Sequence, residues 1–113
     1  MKSNILFTTT PTFDKAYKHL LKKYTSLPGD LLRLRDELTE NQEMGVSLGS
    51  GFRKIRLAVK SKDKGKSGGV RIITLHLLAD PTNKHIIFSI IFDKSEYQSV
   101  TDEQIRDSIK GII

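Results

Sequence analysis

FRKIRLAVKSKDKGKSGGVR, residues 52–71, opens with a strict alternation. Ile55, Leu57 and Val59 fall on one side of an extended chain, Lys54 and Arg56 on the other. Such a strand belongs to a sheet that packs helices beneath one face and leaves its cations on an open side. Eight basic residues and the lone acid Asp63 give the stretch +7; the whole chain carries +6, so the remainder sums to −1. A surplus gathered on one strand, one loop and the start of the next strand is the footprint of a polyanion site. The competing reading is a solvated lysine-rich hairpin kept for solubility, but solubility alone gives no reason to concentrate the lysines. The segment KSKDKGKSGG, residues 60–69, is too polar and glycine-rich to pack. The sequence therefore predicts a mobile loop that orders on a partner.

Working outward, 113 residues make one domain, spanning 1–113, with chain enough for a modest core. An apolar fraction of 37% and a charged fraction of 28% match a soluble globular protein with a basic surface. The absence of cysteine removes disulfides and thiolate chemistry. The three histidines and the carboxylates lack ligand spacing, so neither a metal nor another cofactor is expected. MKSNILFTTT has too short an apolar run for a signal peptide, and no stretch approaches a membrane span. A cytoplasmic location without membrane contact is the expectation.

Upstream, Asn4 to Thr9 reads as a short strand. Thr10 offers an N-cap and Pro11 suits the first helical turn, where its missing N–H costs nothing. Phe13, Ala16, Tyr17, Leu20, Leu21 and Tyr24 then form one apolar stripe, with Lys15, Lys18, Lys22 and Lys23 off it. A second helix starts near Ser26 or Leu27, with Asp30 near its positive end and a stripe of Leu27, Leu31, Leu34 and Leu38. Two stripes across a short break predict an antiparallel helical hairpin. Residues 41–51, NQEMGVSLGSG, read as an irregular loop. Downstream, Val70–Leu78 and Ile86–Phe92 are apolar β-branched runs around Asp80, Pro81 and Asn83, hence a hairpin of central strands. Thr101 to Gln104 is a capping-box pattern ahead of Ile105, Ile109 and Ile112, hence a terminal helix. The predicted fold is α+β, in the order β-α-α-β-β-β-α: a small, mostly antiparallel sheet with the two-helix hairpin packed on one face.

That order, with these residues, resembles the RelE/HigB-type toxins of bacterial toxin–antitoxin pairs. The resemblance spans almost the whole chain. It rests on Thr10-Pro-x-Phe-Asp-Lys15, Gly49-x-Gly51-Phe-Arg-Lys-Ile-Arg56, Gly65-Lys66-x-Gly68-Gly69-Val-Arg71-Ile-Ile and Phe92-Asp-Lys94-Ser-Glu96. The third motif is that of the HigB-like branch. Membership would imply a RelE-like fold and a ribosome-dependent, metal-independent endoribonuclease that cuts messenger RNA and halts translation. Its chemistry is attack of a ribose 2′-oxygen on the adjacent phosphate, which needs a base, cations for the phosphorane and an acid for the leaving oxygen. Crowded cations suit that chemistry, because like charges favour a neutral amine. The implied partners are the ribosome, mRNA and a cognate antitoxin, in this branch usually a helix-turn-helix protein.

By position, the resemblance makes Lys54 a base or charge stabiliser and Arg56 and Arg71 the phosphate clamp. Lys94 would serve the leaving group or the backbone. Arg53, Lys64 and Lys66 would hold RNA backbone, adding salt-dependent affinity, and Phe92 would stack on a base. The sequence departs from the family where tyrosines are usual: those positions read Thr74, Leu75 and Phe92, with Tyr97 a candidate substitute or an ordinary loop aromatic. Asp93 replaces the usual small residue and is expected to temper the positive field. His76 lies five residues after Arg71, so an unbroken strand sends it to the opposite face as a packed or edge residue. His19 and His85 read as surface residues. Two further readings stand beside the nuclease: a RelE-like nucleic-acid or ribosome binder without catalysis, and a relative that poisons a topoisomerase.

Overall fold

The computed structural model describes residues 4–61, 69–80, 82–96 and 99–112. Its elements run β1 (Asn4–Thr9), α1 (Pro11–Lys23), α2 (Leu27–Glu40), β2 (Val46–Gly49), β3 (Phe52–Leu57), β4 (Val70–Asp80), β5 (Asn83–Asp93) and α3 (Asp102–Ser108). The strands form one sheet in the order β1-β5-β4-β3-β2. Every neighbouring pair is antiparallel except β1 and β5, which run parallel. The α+β class and the helical hairpin on one face are as expected from the sequence. Among the described residues, no helix is long and apolar enough to cross a membrane.

Thr10 does two jobs at the first corner. Its hydroxyl oxygen accepts from the Phe13 N–H at 3.0 Å, capping α1, and donates to the Ser89 carbonyl at 2.8 Å, tying the helix start to β5. The stripes then bury Phe13, Leu20, Leu27, Leu34 and Leu38 against Ile55, Leu57, Val70, Ile72, Phe88 and Ile91. Each such side chain contributes about 1.5–3 kcal/mol through apolar area removed from water. Val59 packs on the same cluster although β3 ends at Leu57, so the alternation outlasts the ladder.

One bulge decides which side chains of β5 face which way. Ile73 pairs with Ile90 and Thr74 with Phe88, leaving Ser89 as the extra residue. Phe88 and Ile91 can therefore both reach the helical side, while Ile90 and Phe92 turn to the other. There they meet Ile73 and Ile105, with Phe52 and Val100 packed alongside. Thr101 and Gln104 close the capping box that starts α3, which lies across this second face. Both faces of β4 and β5 are covered in part, as their unbroken apolar runs implied.

The loop expected over residues 41–51 contains a strand. Val46 to Gly49 pairs with Phe52 to Lys54 through a turn in which Gly49, Ser50 and Gly51 all have positive φ. All four β2 residues are exposed. Ladder bonds rather than burial hold the strand, and Val46 and Leu48 alone are too short an alternation to announce it. At the other hairpin, Asp80 Oδ1 accepts from the N–H groups of Thr82 and Asn83 at 2.8 and 2.9 Å, fixing the turn between β4 and β5.

Candidate nucleic-acid interface

Because Ile55 and Leu57 point into the helical core, Lys54 and Arg56 project from the other side of β3. Register then decides what they meet. Lys54 stands opposite Ile73, and Arg56 stands opposite Arg71. Three expected site residues thus share the face on which α3 sits. Lys54 is half-buried, Arg56 is exposed and Arg71 is only 6% exposed. Neither Lys54 nor Arg56 has a carboxylate partner among the described residues. Burial pushes the Arg71 guanidinium below its ordinary value, and the facing Arg56 charge lowers it further. Like charges directly opposite on a ladder cost stability. An anion between them reverses the sign of that term.

Glycine makes the corner possible. Gly69 has φ +57°, and a Cβ there would stand 3.2 Å from the Leu57 carbonyl oxygen and 3.4 Å from Arg71 Nη1. The left-handed backbone and the approach of the guanidinium both favour a residue without a side chain. The Gly69 carbonyl accepts from the Lys94 N–H at 3.4 Å, so the turn after β5 delivers Lys94 to the corner that holds Arg71. Lys94 itself is exposed.

Other expected residues lie elsewhere. Arg53, expected at the RNA, follows the Ile55 side of β3 to the opposite face. There its Nε donates to the Met44 carbonyl at 2.8 Å and its Nη2 to the carbonyls of Glu43 and Gly45 at 2.7 and 3.2 Å. Phe92, expected to stack on a base, does share the cationic face, opposite Arg71. It is 4% exposed, however, and packs with Ile73, Ile90 and Ile105, so its ring is closed off by α3. Asp93, expected to temper the positive field, turns away from the cationic face. It is fully buried on the helical side, taking hydrogen bonds from the Tyr24 hydroxyl, from Ser95 N and Oγ at 2.9 and 2.8 Å, and from Lys23 Nζ at 3.4 Å. His76 is on the face opposite Arg71, as expected, its Nε2 2.8 Å from Thr74 Oγ1. His85 is half-buried against Thr8 rather than a surface residue. Lys64, Lys66, the tip of the basic loop and Tyr97 lie outside the described residues.

Two supporting elements escaped sequence reasoning. Gly69 was visible only as part of a motif; its signal was a glycine pair directly before a strand. The Tyr24–Asp93 pair joins the end of α1 to the turn that carries Lys94. Only the three-dimensional fold brings those two residues together. Among the described residues, no group of three or more His, Asp or Glu converges as metal ligands. What the face offers chemically is two guanidiniums and an ammonium on a rigid ladder, suited to an oxyanion with several equatorial oxygens.

No family model matches this sequence, and no curated protein matches it. A solved structure does: an arginine-substituted mutant of the E. coli toxin RelE in the free state. It shares 16% sequence identity and superposes with a TM-score of 0.52 over 100% of both chains. The chain has the RelE fold.

Proposed function

We propose that this protein is a RelE-like toxin that cleaves messenger RNA on the ribosome and is held silent by a cognate antitoxin of the helix-turn-helix kind. The observation that supports this reading is the register that sets Arg56 against Arg71, with Lys54 on the same side of the sheet. Arg56 and Arg71 clamp the scissile phosphate and spread the charge of the phosphorane. Lys54 takes the ribose 2′-proton or stabilises the 2′-oxygen as it attacks phosphorus. The P–O5′ bond breaks, Lys94 steadies the departing oxygen as it gains a proton, and a cyclic phosphate and a 5′-hydroxyl remain. No side chain in this sequence of events is a metal ligand.

A binder without cleavage is favoured by one observation. The tyrosine positions of the resemblance hold Thr74, Leu75 and Phe92, and all three are buried, at 0%, 2% and 4% exposure. The two readings part in a translation extract supplied with the protein and a reporter message. Cuts ending in cyclic phosphate that require active ribosomes support the nuclease. Ribosome co-sedimentation with an intact message supports the binder.

A further inference from the structure

On the face opposite Lys54, beyond the end of α2, lies a cleft of about 270 Å³ lined by Gln42, Arg53, His76, Leu78, Lys84 and Ile86. Its two cations are held by neutral acceptors. The Arg53 guanidinium is fixed by the carbonyls of Glu43, Met44 and Gly45. Lys84 Nζ donates to Gln42 Oε1 at 2.7 Å. That amide in turn donates to the Leu38 and Thr39 carbonyls, each at 2.9 Å, so it already satisfies the negative end of α2. Neither cation has an ion pair among the described residues. Fixed charges whose partners are all neutral are pre-organised for a counter-ion.

Between them sits His76. Its Nε2 is 2.8 Å from the Thr74 hydroxyl. Protonation of the ring adds one more charge to the cleft. Burial first, then Arg53, then Lys84, holds the ring below its ordinary value of 6.5. Among the described residues lining the cleft, exposed Glu43 is the one carboxylate. We infer that this cleft is a binding site for a tetrahedral oxyanion of the phosphate class, seated between Arg53 and Lys84 beside His76, with Leu78 and Ile86 as its apolar wall. The site is on the reverse of the sheet from Arg56 and Arg71, so it stands or falls independently of the proposed cleavage.

Sulfate is the cleanest probe, because its charge does not change between about pH 5 and 8, where histidine titrates. In NMR titrations at constant ionic strength, the His76 ring titrates below its ordinary value without sulfate and moves upward as sulfate is added. By linkage, sulfate binds more tightly on the acid side of that titration. Lys84→Gln raises the sulfate-free His76 value and weakens the sulfate response roughly tenfold, the size of one lost charge-assisted contact. Adenosine monophosphate is the second probe. Equal affinity identifies a bare oxyanion, and tighter binding identifies a nucleotide whose base lies on Leu78 and Ile86. A His76 titration that is identical with and without sulfate in the folded protein overturns the inference. So does a sulfate response that Lys84→Gln leaves unchanged.

Discussion

Arg56 and Arg71 stand directly opposite each other across the β3–β4 ladder, on the side of the sheet that carries Lys54. A protein selected only for stability would not keep two guanidiniums in that register, since like-charged cross-strand pairs are destabilising. Arg56→Gln keeps much of the stem, removes one of the two charges and is therefore expected to raise stability by roughly 0.2–1 kcal/mol, measured by urea denaturation at low salt. A loss of stability in that variant would mean the two charges are compensated in the free protein.

Gly69→Ala tests the corner that seats Arg71. The left-handed backbone at φ +57° costs a residue with a Cβ about 1–2 kcal/mol, before any displacement of the guanidinium. Thermal unfolding reads the cost. An unchanged midpoint would show that the backbone at residue 69 relaxes freely.

How much of this was legible beforehand is clearest along β3. The alternation of Ile55 and Leu57 assigns Lys54 and Arg56 to one face, and the same alternation assigns Arg53 to the other. The family resemblance grouped Arg53 with Lys64 and Lys66 as an RNA-backbone contact, whereas the period of two sets it on the face away from Lys54 and Arg56. Phe92 shows the opposite limit. Its strand follows from sequence, but the bulge at Ser89 sets its face and the crossing of α3 sets its burial, and no local pattern encodes either. β2 went unread because its alternation is one pair long, Val46 and Leu48 among glycines, and its ladder with β3 is a tertiary fact.

Tyr24→Phe removes a donor from the fully buried Asp93 carboxylate. Leaving a buried acceptor short of a partner costs roughly 1–3 kcal/mol, and the turn bearing Lys94 loosens with it. Urea denaturation checks the first effect, and amide exchange at Ser95 and Glu96 checks the second. Protection equal to that of the unaltered protein would detach Tyr24 from this turn.

Asp80 gives a pH prediction. Hydrogen bonds from Asn83 and Thr82 hold its carboxyl at about 2, below the ordinary 3.8. A depressed carboxylate contributes stability that is complete above the unfolded value and lost as pH falls through the folded one. The β4–β5 turn is accordingly expected to keep its hydrogen bonds down to pH 3.8 and lose them toward about 2. The carboxyl carbon shift of Asp80 followed through acid reports the midpoint; a midpoint at the ordinary value would contradict the turn geometry.

The account rests on one face of one sheet meeting a phosphodiester. The direct measurement is the rate of message cleavage on translating ribosomes for Lys54→Ala, Arg56→Ala and Arg71→Ala, beside Lys18→Ala, a charge-matched change on the exposed side of α1. Loss of about 10²-fold or more in each of the first three, the scale of removing one charge-stabilising group from a reaction centre, with little change in the last, is the predicted result. Equal cleavage by all four variants would contradict it.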